Sequence, residues 1–327
     1  MGLTDRWAIG VDLGGTKIEV ATVGDGGRLL GRLRRPTPVE AGPDGIIAAI
    51  AEASSTLIAN RDSPPLGVGV GLAGQIGPQG LVRFAPNLGW QEVPFQKKLS
   101  QALRLPVLVT NDVRAATWGE WLHGAGTGCD DLLCLFVGTG IGGGVVSGGK
   151  VLSGCSNTAG ELGHITIDLD GPLCTCGNRG CLEALAGGWA IARQAREAVR
   201  ADPEAGAPLL HMAGGEMEAI TARVVAEAFK AGDPLAGRLV DTVARALTAG
   251  AISLIHAFNP CRLILGGGVI DGLPRLVDQI GQAVHRRALP GATEPLQVLP
   301  SKLGGDAGVV GAATLAIRTF RKKEPQD

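Results

Sequence analysis

Short apolar runs broken by glycine-rich turns occur twice along this chain in the same order. Residues 7–12 form an apolar run, 13–17 a turn, 18–23 a second run, 24–27 a turn, and 28–33 a third run. Residues 131–137, 138–144, 145–147, 148–149 and 150–152 follow the same order of runs and turns. The runs are too short for helices and are bounded by turn residues, so each set predicts three strands joined as hairpins. The repetition predicts an internally duplicated fold with one copy per lobe.

Between the copies the period changes. Helices are predicted over 46–57, 94–103 and 113–121, strands over 66–72 and 106–110, and a loop around Asn87-Leu-Gly-Trp90. After the second copy come predicted helices over 189–200, 220–231, 234–258, 274–288 and 308–320. Strands are predicted at 262–265 and 296–299, with a turn at 266–268. Strand–helix alternation makes the chain α/β, a class in which ligands gather at the carboxyl ends of strands. The last helix is expected to pack on the first lobe, and the charged tail, residues 321–327, to fray.

With 327 residues and 45% hydrophobic content, two lobes of about 150 residues each have ample core. Lys plus Arg (30) balances Asp plus Glu (31), and no basic run marks a nucleic-acid surface. No secretory leader is legible, and no apolar stretch is expected to reach the roughly 18 residues that span a bilayer. Seven cysteines, three of them clustered, read as reduced and metal-binding, which points to the cytoplasm.

The cluster is Cys174-Thr-Cys176-Gly-Asn-Arg-Gly-Cys181, with His164 upstream. Three thiols and an imidazole suit a tetrahedral Zn²⁺ and leave no open position, so the ion would be structural. Glu161 and Glu183 flank this loop and could grip the hydroxyls of a sugar. His164 could give one ring nitrogen to zinc and the other to the ligand. Asn111-Asp112 follows the predicted strand at 106–110. Asp112 is the candidate general base for transfer to a hydroxyl, and Asn111 offers a polyol both a donor and an acceptor. The same dipeptide also fits a helix N-cap.

Gly138, Gly140 and Gly143 satisfy GxGxxG, yet the glycines lead into a hairpin rather than a helix, which argues against a dinucleotide fold. Two glycine-rich hairpins suit the phosphates of one nucleotide instead, because their N–H groups reach an anion unobstructed by Cβ atoms. In that reading Gly14, Gly15, Thr16, Lys17, Thr139 and Gly140 bear on phosphate, and Asp12 holds Mg²⁺ through water.

Asp12-Leu-Gly-Gly-Thr-Lys17, Asn87-Leu-Gly-Trp90, Asn111-Asp112, the glycine run at 138–144, Gly160-Glu-Leu-Gly-His164, the cysteine cluster through Glu183, and the glycines at 266–268 carry a resemblance. Over nearly its whole length the chain resembles the ROK family (repressors, open reading frames and kinases), and within it the bacterial glucokinases. The resemblance implies an actin-like ATPase fold of two ribonuclease-H-like lobes around a central cleft. Residues 1–112 and 301–327 would form a small lobe; residues 113–300 would form a large one with the zinc loop and a dimer surface. It implies ATP-dependent phosphorylation of the 6-hydroxyl of glucose with Asp112 as base. Asn87, Asn111, Glu161, His164 and Glu183 would meet the sugar, Gly266 and Gly267 the nucleotide, and His164, Cys174, Cys176 and Cys181 the zinc. A homodimer or dimer of dimers is expected. Relatives acting on N-acetylmannosamine, N-acetylglucosamine or fructose, or using polyphosphate, share this framework. Family repressors add a helix-turn-helix ahead of the first strand, which six residues before Trp7 do not supply.

Overall fold

The structure is a computed structural model and describes residues 6–321. The reading of residues 1–5 as lacking a leader, and of a frayed tail beyond Arg321, lies outside the described residues. The chain divides into two compact units. One runs through Gly128 and takes in Val151–Gly160 and the stretch from Gly305; the other comprises Cys129–Lys150 and Glu161–Gly304.

In the first unit the glycine-rich turns make hairpins of β1 (Trp7–Leu13), β2 (Lys17–Gly24) and β3 (Leu29–Pro36). Helix α1 (Gly42–Ile58) then crosses to β4 (Val68–Leu72), parallel to β1. The loop expected around Asn87 is the turn Pro86–Leu88 within a small sheet of β5 (Gln75–Ile76), β6 (Val82–Ala85) and β7 (Trp90–Val93). Strands of two to four residues are too short for an alternation signal to register. Helix α2 (Phe95–Leu103) leads to β8 (Val107–Asn111), parallel to β4, and α3 (Asp112–His123) follows without a break.

The resulting sheet order is β3-β2-β1-β4-β8. Strand β1 is buried almost throughout, as an unbroken apolar run covered on both faces should be. The carboxyl-terminal helix, Ala307–Arg321, packs on β1 and β4, as expected of the last helix. Its backbone approaches so closely that a Cβ at Gly10 or Gly69 would overlap the carbonyl of Val309 or Ala312. Gly69→Val should therefore destabilise this unit by at least ~3 kcal/mol, because main chain cannot move aside as a side chain does. A urea midpoint unchanged from the parent would refute that packing.

The second unit repeats the design. Strands β9 (Leu132–Val137), β10 (Ile141–Ser147) and β11 (Lys150–Val151) form the hairpins. Helices α4 (Leu182–Ala186), α5 (Gly188–Ala201), α6 (Pro203–Met212), α7 (Ala222–Lys230) and α8 (Pro234–Phe258) come next. Then follow β12 (Arg262–Gly266), α9 (Gly268–Gly272), α10 (Arg275–Arg287), α11 (Pro290–Thr293) and β13 (Gln297–Pro300). The order β11-β10-β9-β12-β13, with β12 parallel to both neighbours, matches the first sheet strand for strand. The duplication expected from the hairpins is thus present at the level of the whole sheet.

Two readings need correction. Gly142, Gly143 and Gly144 lie inside β10, not in a turn, since each faces a β9 residue in register. Helix α8 is long and apolar enough to cross a membrane by length and composition, where no such stretch was expected. Of its most apolar window 56% is buried within the protein, and its Leu239, Val243, Leu247 and Leu254 belong to the second unit's core.

Candidate active site and metal centre

At the carboxyl end of β1 the chain turns tightly, with the Gly14 N–H donating to the Lys17 carbonyl at 3.1 Å. Thr37, just past the end of β3, braces this turn: its hydroxyl donates to the Gly14 carbonyl (2.7 Å) and its N–H to that of Thr16 (3.0 Å). Gly15 lies against Asn87, whose carbonyl oxygen would be 2.7 Å from a Cβ there. The structure thus brings Asn87, on the turn Pro86–Leu88, beside the first hairpin.

Register places Asp12 opposite Gly71, and Gly71 opposite Thr110. Lacking a side chain, Gly71 lets α3 start close by; a Cβ there would be 3.3 Å from the Asp112 Cα. Asn111 is the N-cap of α3, its Oδ1 accepting from the Arg114 N–H at 3.1 Å while its Nδ2 donates to the Gly74 carbonyl at 3.3 Å. The residue expected to meet a polyol is thus also the cap of α3. Asp112 occupies the first helical position, where the unpaired N–H groups favour a carboxylate. Burial, and then the neighbouring charge of Asp112, raise the Asp12 carboxyl to about 6. Two crowded carboxylates are a donor set that suits a hard cation such as Mg²⁺, which would relieve their repulsion.

This has a consequence for stability. The Asp12 value lies above the ordinary 3.8, so its contribution is full below about pH 4 and lost as pH rises through 6. About two units correspond to about 3 kcal/mol. In magnesium-free buffer the parent should lose up to that much relative to Asp12→Asn between pH 4 and 7. Parallel stability curves from denaturant titrations would contradict the assignment.

In the second unit the turn after β9 closes with the Gly138 N–H donating to the Gly140 carbonyl at 2.9 Å. The first N–H groups of α5, on Gly188 and Trp189, donate to the carbonyls of Gly138 and Thr139 at 2.9 and 3.0 Å. Gly266 ends β12, and Gly267, at φ 91°, lies against the Val137 backbone, so both glycine turns leave the same end of the sheet. Beside them is a cavity of about 870 Å³ lined by Thr139, Trp189, Arg196, Thr221, Lys230 and Gly268, among others. Gly140, Gly266 and Gly267 do not line it. Trp189, Arg196 and Lys230 were missed by sequence reasoning, because on an amphipathic helix they resemble an ordinary outer face.

Glu183, on α4, is buried and fully engaged within this unit. Its Oε2 accepts from the Ile141 N–H at 2.7 Å, and its Oε1 from Trp189 Nε1 at 3.3 Å and the Thr175 hydroxyl at 3.5 Å. One carboxylate thereby fastens the second hairpin, the cysteine loop and α5. Glu161 is exposed and precedes the turn Leu162–His164. That turn presses on β10 through Gly163, where any Cβ would overlap the Ile141 carbonyl.

His164, Cys174, Cys176 and Cys181 place one ligand atom each within 4.8 Å of all the others. Cys174 Sγ is 3.7 Å from His164 Nδ1, and Cys176 Sγ is 3.7 Å from Cys181 Sγ. A tetrahedral ion with Zn–S near 2.3 Å and Zn–N near 2.0 Å would set sulfurs about 3.8 Å apart and sulfur from nitrogen about 3.5 Å. The cluster fits such an ion. Because Nδ1 faces the sulfurs, His164 retains Nε2 for another partner. Burial, followed by the other two thiols, pushes Cys181 up to about 12, whereas the Asn178 N–H lowers Cys176. The loop is further held by pairing of Leu173 with Arg179 and Thr166 with Cys181.

Similarity to known proteins runs across these features. A glucokinase from Streptomyces coelicolor is 38% identical over 318 residues, 97% of this chain and 98% of that protein. An N-acetylmannosamine kinase from Escherichia fergusonii is 34% identical over 313 residues, 94% of this chain and 97% of that one. The crystal structure of a ROK family glucokinase from Streptomyces griseus, in complex with glucose and AMPPNP, is 40% identical and aligns with a TM-score of 0.83. The alignment covers 95% of this chain and 99% of that one. The two matching sheets and this alignment give the chain the actin-like ATPase fold. With a profile of the ROK family matching residues 8–319, the chain belongs to the ROK family.

Proposed function

We propose that this protein is an ATP-dependent glucokinase that phosphorylates the 6-hydroxyl of glucose. The observation that carries this reading is similarity to glucokinases over essentially the full length. Asp112 is assigned as the general base, taking the proton from the 6-hydroxyl as its oxygen attacks the γ-phosphorus. Asn87, Asn111, Glu161, His164 and Glu183 are assigned to the sugar. Glu183 Oε1 already accepts from Trp189 and Thr175, so the lone pair assigned to a hydroxyl is the one Oε2 keeps beside its bond from Ile141.

The N–H groups of Gly15 and Thr16, and those of Thr139 and Gly140, are assigned to the phosphates, with Gly14 closing the first turn through its N–H and Lys17 adding positive charge. Gly266 and Gly267 shape the turn beside the large cavity, which has room for the base and ribose of ATP. Asp12 would hold Mg²⁺ through water, and that ion, when bound, neutralises charge on the phosphoryl oxygens. His164, Cys174, Cys176 and Cys181 would hold a structural Zn²⁺. None of the seven cysteines forms a disulfide, which suits a cytoplasmic enzyme, and a homodimer or dimer of dimers belongs to the same reading.

The test is a coupled assay of ADP release across glucose, fructose, N-acetylmannosamine and N-acetylglucosamine with ATP, and of sugar phosphate formation when polyphosphate replaces ATP as donor. Glucose with ATP should give a kcat/KM at least about tenfold above the rest, since one substituent at carbon 2 changes discrimination by about that much. The N-acetylmannosamine kinase relative names the chief rival. A higher kcat/KM on N-acetylmannosamine would make that the activity.

A further inference from the structure

Arg114 sits on α3 two residues after Asp112 and is only 7% exposed. Its guanidinium reaches into the strap Val151–Gly160, which belongs to the first unit although the chain on either side of it belongs to the second. Nη1 donates to the Asn157 Oδ1 at 2.6 Å, and Nη2 to the carbonyls of Asn157 at 3.0 Å and Ala159 at 3.1 Å. Asn157 has φ 62°, a left-handed conformation that a non-glycine residue adopts only when held. Its Nδ2 donates to the Ile76 carbonyl at 2.8 Å.

These bonds close a ring. Arg114 caps onto Asn111 through its N–H, Asn111 binds Gly74, Asn157 binds Ile76, and Arg114 binds Asn157. The strap's last anchored carbonyl, on Ala159, lies two residues before Glu161. A planar fork with several fixed donors can hold three acceptors at once; an ammonium on a flexible stem holds them without fixed directions.

We propose that Arg114 is a positioning residue for sugar binding: it fastens the strap to the helix that begins with Asp112, and so sets where the chain emerges at Glu161. This rests on the reading of Asp112 and Glu161 as base and sugar ligand. The residue acts through the strap and touches no substrate itself.

The test compares the full-length parent with Arg114→Lys, Asn157→Ala and the double variant. Arg114→Lys should raise the glucose KM roughly tenfold, about the effect of one lost charge-assisted hydrogen bond, with the ATP KM within about twofold of the parent. Backbone amides of residues 157–163 should exchange hydrogen faster. The double variant should raise the glucose KM by less than the two single changes combined, because both break the bond between Arg114 and the Asn157 side chain. Asn157→Ala, at a half-buried position, carries the test if Arg114→Lys does not fold. A rise in both KM values in parallel with a lower thermal midpoint would reduce Arg114 to general stability and overturn the proposal. Faster exchange with an unaltered glucose KM would overturn it too. If the parent phosphorylates no hexose, the kinase reading falls by itself. Unaltered exchange at 157–163 in Arg114→Lys would sink the anchoring independently.

Discussion

An Asp112→Asn protein should fold like the parent, bind glucose with an affinity within about twofold, and lose turnover by about 10²–10⁴-fold, the usual worth of a positioned base. The substitution keeps the shape of the side chain and removes its capacity to accept a proton. It also leaves the local structure intact, since the cap of α3 is Asn111 and the helix's first position tolerates an amide. A second signature accompanies the loss. Asp112 is the second cause, after burial, of the raised Asp12 carboxyl, so removing its charge should bring Asp12 down from about 6 toward 3.8. Stability between pH 4 and 6 should then depend less steeply on pH than in the parent. Isothermal titration with glucose, a coupled turnover assay and denaturant curves at several pH values make the comparison. Parental turnover in the asparagine variant would take the base role from Asp112. A lost glucose affinity with kcat retained would instead make Asp112 a binding residue.

How far the chain could be read beforehand depended on whether a feature was local. Helix α8 was legible to both ends because its stops are local chemistry. Asp233 accepts from the Ala236 N–H at 2.7 Å, Pro234 stands at the first helical position, and Asn259 closes the helix at φ 46°. The hairpins were legible for the same reason, since glycine turns between apolar runs need no distant partner. The fold of the motifs as a set came from resemblance, not from pattern. Helix α6 was not legible, with Pro208 inside it and Gly206 pressed on Val199 of α5, so its stability comes from packing against α5. The engagement of Glu183 with Ile141 and Trp189 spans separations that no local pattern records. Arg114 likewise reads as an exposed helix charge until the strap Val151–Gly160 is seen to lie over it. In the candidate site the residue types were therefore visible, while their internal commitments, Asn111 as cap and Glu183 as fastener, were not.

Cys176→Ser should lose most of its bound zinc and raise the glucose KM by about tenfold or more, with the ATP KM little changed. Zinc content is read by elemental analysis and by release to a chromophoric chelator. The argument starts from the sulfurs. Burial pushes Cys181 up to about 12, so without a cation that thiol holds its proton, while the Asn178 N–H lowers Cys176. A bound cation removes the need for protons, so affinity should fall as pH drops and protons compete for the ligands. Serine at 176 removes one of four ligands and leaves three, an arrangement that holds structural zinc poorly. The loop then rests on bonds that include the pairings of Thr166 with Cys181 and Leu173 with Arg179, the Asn178 bond to Thr166 at 2.9 Å and the Thr175 hydroxyl on Glu183. None of these fixes the ring of His164, whose Nδ1 would keep the Cys174 thiol but no ion, nor the turn that follows Glu161. Sugar contacts assigned to Glu161 and His164 should loosen together, while the cavity lined by Trp189 and Lys230 keeps its shape and with it the nucleotide affinity. A zinc-depleted Cys176→Ser protein that binds glucose as the parent does would confine the metal to loop stability and leave sugar recognition to the residues of the two hairpins and α3.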